Sequence, residues 1–177
     1  MTQLFAAVDS RTNQPVAVTW AASRQDLGDL DATGRFSTRS AVGGVVKIRA
    51  ATLDGTAAEA TLTIRVQLST NGLADGGGVV PPNTVTILHQ TAQADAGAST
   101  NGPRLLYPYA NTVFPRGIIA PLLQYSLTTP PSATRVAIAA PFFSWTGYSM
   151  VSNAQRPNAT IPDAVWDAAL RSASGTT

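Results

Sequence analysis

The sequence predicts an all-β protein of two small β-sandwich modules, joined by a Gly/Pro-rich linker and carrying one short helix near the C-terminus. Three observations carry that expectation. Apolar and polar residues alternate with a period of two over short runs, as in Ala60, Leu62, Ile64 and Val66 against Thr61, Thr63 and Arg65. Turn-forming residues separate these runs every 8–12 residues or so, the spacing of a sandwich. One stretch alone, from Pro162, repeats its apolar residues at helical spacing.

The first module is expected over residues 1–67. Val16, Val18 and Trp20 alternate with Ala17 and Thr19, which places Trp20 on the inward side of a strand. Asp31-Ala32-Thr33-Gly34 suits a type I turn, with Asp at its first position and Gly at its last, and Leu30 and Phe36 flank it. Gly43-Gly44 opens a strand in which Val46, Ile48 and Ala50 face opposite to Val45, Lys47 and Arg49. Asp54-Gly55 then sits between two alternating runs, a strong hairpin signal.

Residues 68–103 have linker composition. Gly72, Gly76-Gly77-Gly78, Pro81-Pro82 and the small, polar stretch Gln93–Gly102 interrupt regular structure. Within this linker Thr84–Gln90 reads as a strand with Val85 and Ile87 on one face. The second module is expected over 104–177. Its strand candidates are Leu105–Tyr109, Leu122–Ser126 and Arg135–Ala140, broken by Pro108, Pro115, Pro121, Pro130, Pro131 and Pro141. Pro162 opens the helix, Asp163 suits its positive end, Val165, Trp166, Ala169, Leu170 and Ala173 form its stripe, and Gly175 stops it.

Two resemblances accompany these readings. The order Val18-Thr19-Trp20, Asp31 to Phe36, Gly43 to Ala50 and then a hairpin into Ala60–Val66 resembles the bacterial Ig-like domains, over about residues 4–67. The stretch Leu106 to Tyr109, Thr112 to Gly117, Ala120 to Gln124 and the helix around Trp166 resembles a fibronectin/Ig-like module of predicted secreted proteins and lipoproteins of Gram-negative bacteria. That second likeness covers about residues 104–177, with Tyr125 where a core Trp is usual. The resemblances imply an extracellular or cell-surface address. Both patterns look clipped here, the first lacking an earlier strand and the second later ones, so open sheet edges are expected to recruit a protein partner or a second copy.

Composition narrows the function classes. Charged residues are 12% of the chain, about half the usual ~25% share. Arginine dominates the cations, Lys47 being the sole lysine, and the net charge is +2 with the arginines scattered rather than gathered into a stripe. A nucleic-acid partner is therefore not expected. The absence of cysteine excludes disulfides and thiolate metal sites. No apolar run reaches the ~18 residues of a membrane span, and no export signal follows Met1.

No residue set names a reaction, so the chain is expected not to be an enzyme, with no catalytic residue, metal or cofactor. His89, the only histidine, has no carboxylate neighbour in sequence and no G-x-S-x-G serine to activate. Asp26, Asp29 and Asp31 lack the D-x-D-x-D-G pattern of a calcium loop and read as a solvated turn. Asp163 and Asp167, four apart on the helix, read as exposed surface rather than paired acids across a cleft. Asn158-Ala159-Thr160 is a glycosylation sequon by pattern.

The aromatic cluster Phe142 to Tyr148 splits between two faces by alternation, against the simpler reading of a packed strand. Trp145 and Tyr148, with Tyr107 and Tyr109, are accordingly the candidate ligand-binding residues, able to stack on sugar rings. The expected function is a non-catalytic extracellular or cell-surface structural or adhesion module of a larger or assembled protein. The alternatives are a carbohydrate-binding module for a polysaccharide, or an accessory domain of a secreted hydrolase.

Overall fold

The computed structural model describes residues 1–39, 41–73, 78–90, 104–126, 131–151 and 158–173. The chain divides into two compact units, Met1–Val66 and Gln67–Thr177. Among the described residues it is mostly β, with four three-stranded sheets and two helices.

The first unit pairs β1 (Thr2–Leu4), β4 (Arg35–Thr38) and β3 (Gly28–Leu30) in one antiparallel sheet. A second antiparallel sheet runs β2 (Thr19–Ala22), β5 (Gly44–Ala51) and β6 (Ala57–Ile64). Both sheets feed one core. Phe36 comes from the first and Val46, Ile48 and Ile64 from the second, joined by Leu27 and Val42. Along β5 the burial alternates residue by residue, with Val46 and Ile48 inside and Val45, Lys47 and Arg49 outside, as the period of two requires.

The turns follow from the residues that fill them. Asp31 accepts the backbone N–H groups of Thr33 at 2.9 Å and Arg35 at 3.0 Å, plus the Thr33 hydroxyl at 2.6 Å. Gly34 stands at φ 82°, a left-handed value that disfavours any Cβ, and the Trp20 indole lies across the position a Cβ would fill. Trp20 packs inward on the core at 6.5 Å from Phe5, ring centre to ring centre. The hairpin between β5 and β6 turns at Asp54-Gly55, with Gly55 at φ 90° and the Asp54 carboxylate accepting from Thr56 N at 3.1 Å.

The boundary between the units falls within β7 (Val66–Asn71), a strand that runs into the stretch from residue 68 where linker composition suggested no regular structure. β7 flanks β11 (Phe143–Met150), which pairs on its other side with β10 (Ala133–Ala140) through the two-residue loop Pro141-Phe142. A further sheet joins β12 (Asn158–Thr160), β9 (Leu122–Ser126) and β8 (Arg104–Tyr107), both pairings antiparallel. The helix α2 (Asp163–Ala173) packs on β10 and β11, as the spacing of Val165, Trp166 and Ala169 predicts.

One element differs outright. Residues 82–90 form the helix α1 (Pro82–Gln90), not the strand expected over 84–90, so the described chain has two helices rather than one. A period of two groups Val85 with Ile87, whereas the helix turns Val85 and Leu88 onto the core and leaves Ile87 exposed. Pro82 occupies the first helical position, where its fixed φ and missing N–H cost nothing. Val85 N donates to Pro81 O at 3.0 Å and the Thr86 hydroxyl to Pro82 O at 3.1 Å. Val85 and Leu88 then complete an apolar cluster with Val80, Ala133, Tyr148 and Met150, and that tertiary burial overrides the strand preference of β-branched residues. The Gln93–Gly102 stretch, Gly76-Gly77 and the Gly175 stop lie outside the described residues.

Candidate functional site

The four aromatic residues singled out by sequence fall into two different settings. Trp145 and Tyr148 are interior, 1% and 4% exposed. β11 pairs with a strand on each edge, α2 packs on β10 and β11, and Val85 and Leu88 of α1 join the cluster around Tyr148, so residues of both phases are buried. The Trp145 indole lies over Gly147, two residues on, and its Nε1–H donates to the Thr70 hydroxyl at 3.1 Å. On the opposite phase the Tyr148 hydroxyl bonds His89 Nε2, with the rings 5.5 Å apart. The one histidine therefore ties α1 to β11, a partner that its sequence neighbours did not suggest.

Tyr107 and Tyr109 lie at the surface and pair edge to face, 6.1 Å between centres at 85°. They mark the end of the β8–β9 hairpin, where Tyr107 stands opposite Gln124 and the register slips at Leu106. The connecting loop is shaped by left-handed residues at Asn111 and Gly117 and by Thr112, whose N–H and hydroxyl both donate to Tyr109 O, at 3.1 and 2.7 Å. Phe114 anchors it, meeting Trp166 of α2 edge to face at 5.1 Å. Tyr109 is 74% exposed. The T-shaped pairing gives one accessible ring plane, not the coplanar row that would accept successive sugars of an extended chain.

Neither a protein-family model, a curated protein nor a solved structure matches the chain. The local chemistry must speak for itself. Of the acidic side chains weighed as metal ligands or catalytic acids, Asp26, Asp29, Asp31 and Asp167 serve a turn or ion pairs, and Asp163 stands in the first turn of α2. Asp29 pairs with Arg39 through both carboxylate oxygens, one at 2.8 Å, and Asp26 with Arg24 at 2.9 and 2.6 Å. Asp9 accepts from the N–H groups of Arg11 and Thr12 at 2.9 and 2.8 Å. Asp167 meets Arg171 at 3.5 Å, one helical turn away. Among the described residues no group of three or more His, Asp or Glu is placed to hold a metal, and no helix is long and apolar enough to cross a membrane.

Hydrogen bonds from backbone N–H groups and threonine hydroxyls explain the acidity of three carboxyls. The N–H groups of Thr12 and Arg11 hold Asp9 below the ordinary carboxylate value. The Thr33 hydroxyl and Arg35 N–H do the same for Asp31, and the Thr52 hydroxyl and Thr56 N–H for Asp54. Each shift belongs to a tight turn rather than to a cleft. A feature that sequence reading missed is the Asn71 carboxamide, which accepts from Val80 N at 2.8 Å and donates to Val80 O at 2.9 Å. Nothing in local sequence pairs those two positions.

Proposed function

We propose that the chain is a non-catalytic extracellular or cell-surface module that spaces, adheres or assembles, with the first unit an Ig-like sandwich and the second a fibronectin/Ig-like one. The reading rests chiefly on how polar residues are employed. Asp9, Asp31 and Asp54 cap turns, while Asp26, Asp29 and Asp167 pair with Arg24, Arg39 and Arg171. Side chains spent on holding turns and surfaces suit a scaffold.

The sheet orders lend the Ig-like reading further support. β2-β5-β6 corresponds to strands C-F-G of an immunoglobulin sandwich and β1-β4-β3 to B-E-D. Trp20 then falls on the strand that carries the core tryptophan of that fold. Surface labelling tests the address. In intact cells that make the protein, antibody or a membrane-impermeant amine reagent is expected to reach it without lysis. Recovery of all the protein in the unlabelled interior fraction overturns the proposal.

The exposed Tyr107–Tyr109 pair favours a second reading, a carbohydrate-binding module for a polysaccharide, alone or as the accessory domain of a hydrolase. Affinity electrophoresis through gels containing cellulose, chitin or peptidoglycan derivatives separates the two. Retardation that Tyr109→Ala abolishes supports sugar recognition, and unchanged mobility in every gel ends it.

A further inference from the structure

Exposed apolar side chains are not spread evenly over this protein. Half of the large ones exposed among the described residues fall between residues 105 and 122, on the β8–β9 hairpin and its loop. Val113 is 89% exposed, Ile119 83% and Tyr109 74%, and Leu105, Leu106 and Leu122 are also open to water. A concentration of this kind normally marks a binding surface. The chain has little of its own with which to cover it, since the segments outside the described residues contain a single large apolar side chain, Leu127.

Along the hairpin and its loop the charge is of one sign. Arg104 starts β8 and Arg116 sits in the loop, both exposed, and no carboxylate occurs anywhere from residue 96 to 162. Of the acidic residues that follow, Asp163 begins α2 and Asp167 is engaged by Arg171. The loop is also held in shape before anything binds. Phe114 fixes its middle on Trp166, Thr112 closes its first turn, and Pro108, Pro115 and Pro121 restrict its backbone.

From this arrangement we infer that the β8–β9 loop docks on the anionic surface of a phospholipid bilayer, as a peripheral contact rather than a span. Val113 and Ile119 enter the acyl boundary as separate knobs, which a fluid layer receives without a matching pocket. Tyr109 rests at headgroup level, where a ring with one polar end is best placed. Arg104 and Arg116 meet lipid phosphates, each strengthening attachment about fivefold.

Co-sedimentation of the full 177-residue chain with vesicles tests the inference. Binding is expected to vesicles of phosphatidylglycerol and phosphatidylcholine, to weaken steeply with added salt, and to be much poorer on phosphatidylcholine alone. Ile119→Ser and Val113→Ser should each lower partitioning about tenfold. Arg104→Gln with Arg116→Gln should lower it on the anionic vesicles and leave the neutral ones unaffected. These side chains are exposed, so the fold should survive, and circular dichroism checks that it does. In the variant Ile119→Trp the added indole emission should shift to the blue when anionic vesicles are supplied. Absence of sedimentation with anionic vesicles, or binding that the serine variants leave intact, overturns the inference. So does a concentration-dependent dimer, without lipid, that the same serine variants dissolve, because the patch would then be a protein interface.

Discussion

Gly147 shows how narrowly one position can be specified. The Trp145 ring occupies the space above it, with Leu73 on another side, so a methyl group there must displace an indole that is itself buried and hydrogen-bonded. Gly147→Ala is expected to destabilise the second unit by about 1–3 kcal/mol, the usual cost of overpacking. Urea unfolding followed by tryptophan emission measures it. The carboxyls of Asp9, Asp31 and Asp54 make a different kind of statement. Their values are depressed in the folded chain, so their contribution is fully present above the ordinary value near 3.8 and disappears as pH falls through the lower folded one. The urea midpoint of the first unit should hold steady from pH 7 to about 5 and drop below about 4. Asp31→Asn should flatten that acid limb, and an unchanged limb would place the protons elsewhere.

Among the elements, the two helices invite opposite experiments. α1 is shorter and buries Val85 and Leu88 only partly, so it depends on its connections, above all the two bonds between Asn71 and Val80. Asn71→Ala removes both and should cost about 1–3 kcal/mol, with amide exchange in α1 accelerating more than in β5. α2 carries Trp166, whose Nε1 is buried without a hydrogen-bond partner among the described residues. Trp166→Phe keeps the ring against Phe114 while removing a desolvated donor, so it should change stability by less than about 1 kcal/mol. Trp166→Ala, leaving a cavity, should cost about 3–5 kcal/mol.

The same elements explain what the sequence made legible. β5 has one face in the core and one in water, β6 reaches the core only at Leu62 and Ile64, and the Asp54-Gly55 turn between them has local chemistry, so the hairpin announces itself. α2 does likewise through its apolar stripe. β11 was harder, because a strand buried on both faces loses its alternation, and the burial of Tyr148 as well as Trp145 follows from its cluster with Val80, Ala133, Val85 and Leu88. α1 misled because Thr84, Val85, Thr86 and Ile87 prefer strands locally, while the cluster that Val85 and Leu88 join includes Ala133 and Tyr148, far away in sequence. Of the four aromatic candidates, Tyr107 and Tyr109 stand at the surface and Trp145 and Tyr148 stand inside, a division that depends on what packs over the faces of β11.

For the whole molecule, the division into Met1–Val66 and Gln67–Thr177 predicts how it melts. Each unit has its own buried cluster, the first around Phe36 and Ile48 and the second including Val80 and Tyr148. Scanning calorimetry is expected to resolve two transitions, and Phe36→Ala should move one of them alone, by a destabilisation of about 3–5 kcal/mol. A single transition displaced as a whole by that substitution would mean that the units unfold together. Trp20 reports on the first unit, and Trp145 with Trp166 on the second, so Trp20→Phe assigns the optical signal between them.

The carboxamide of Asn71 has the same donor and acceptor as a peptide group, and it reads Val80 as a neighbouring strand would. Residues 72–79 are thereby bracketed by a clasp made from one side chain. A protease cutting within that bracket would leave both new ends fastened, and the severed chain should still migrate as one species until denaturant opens the clasp.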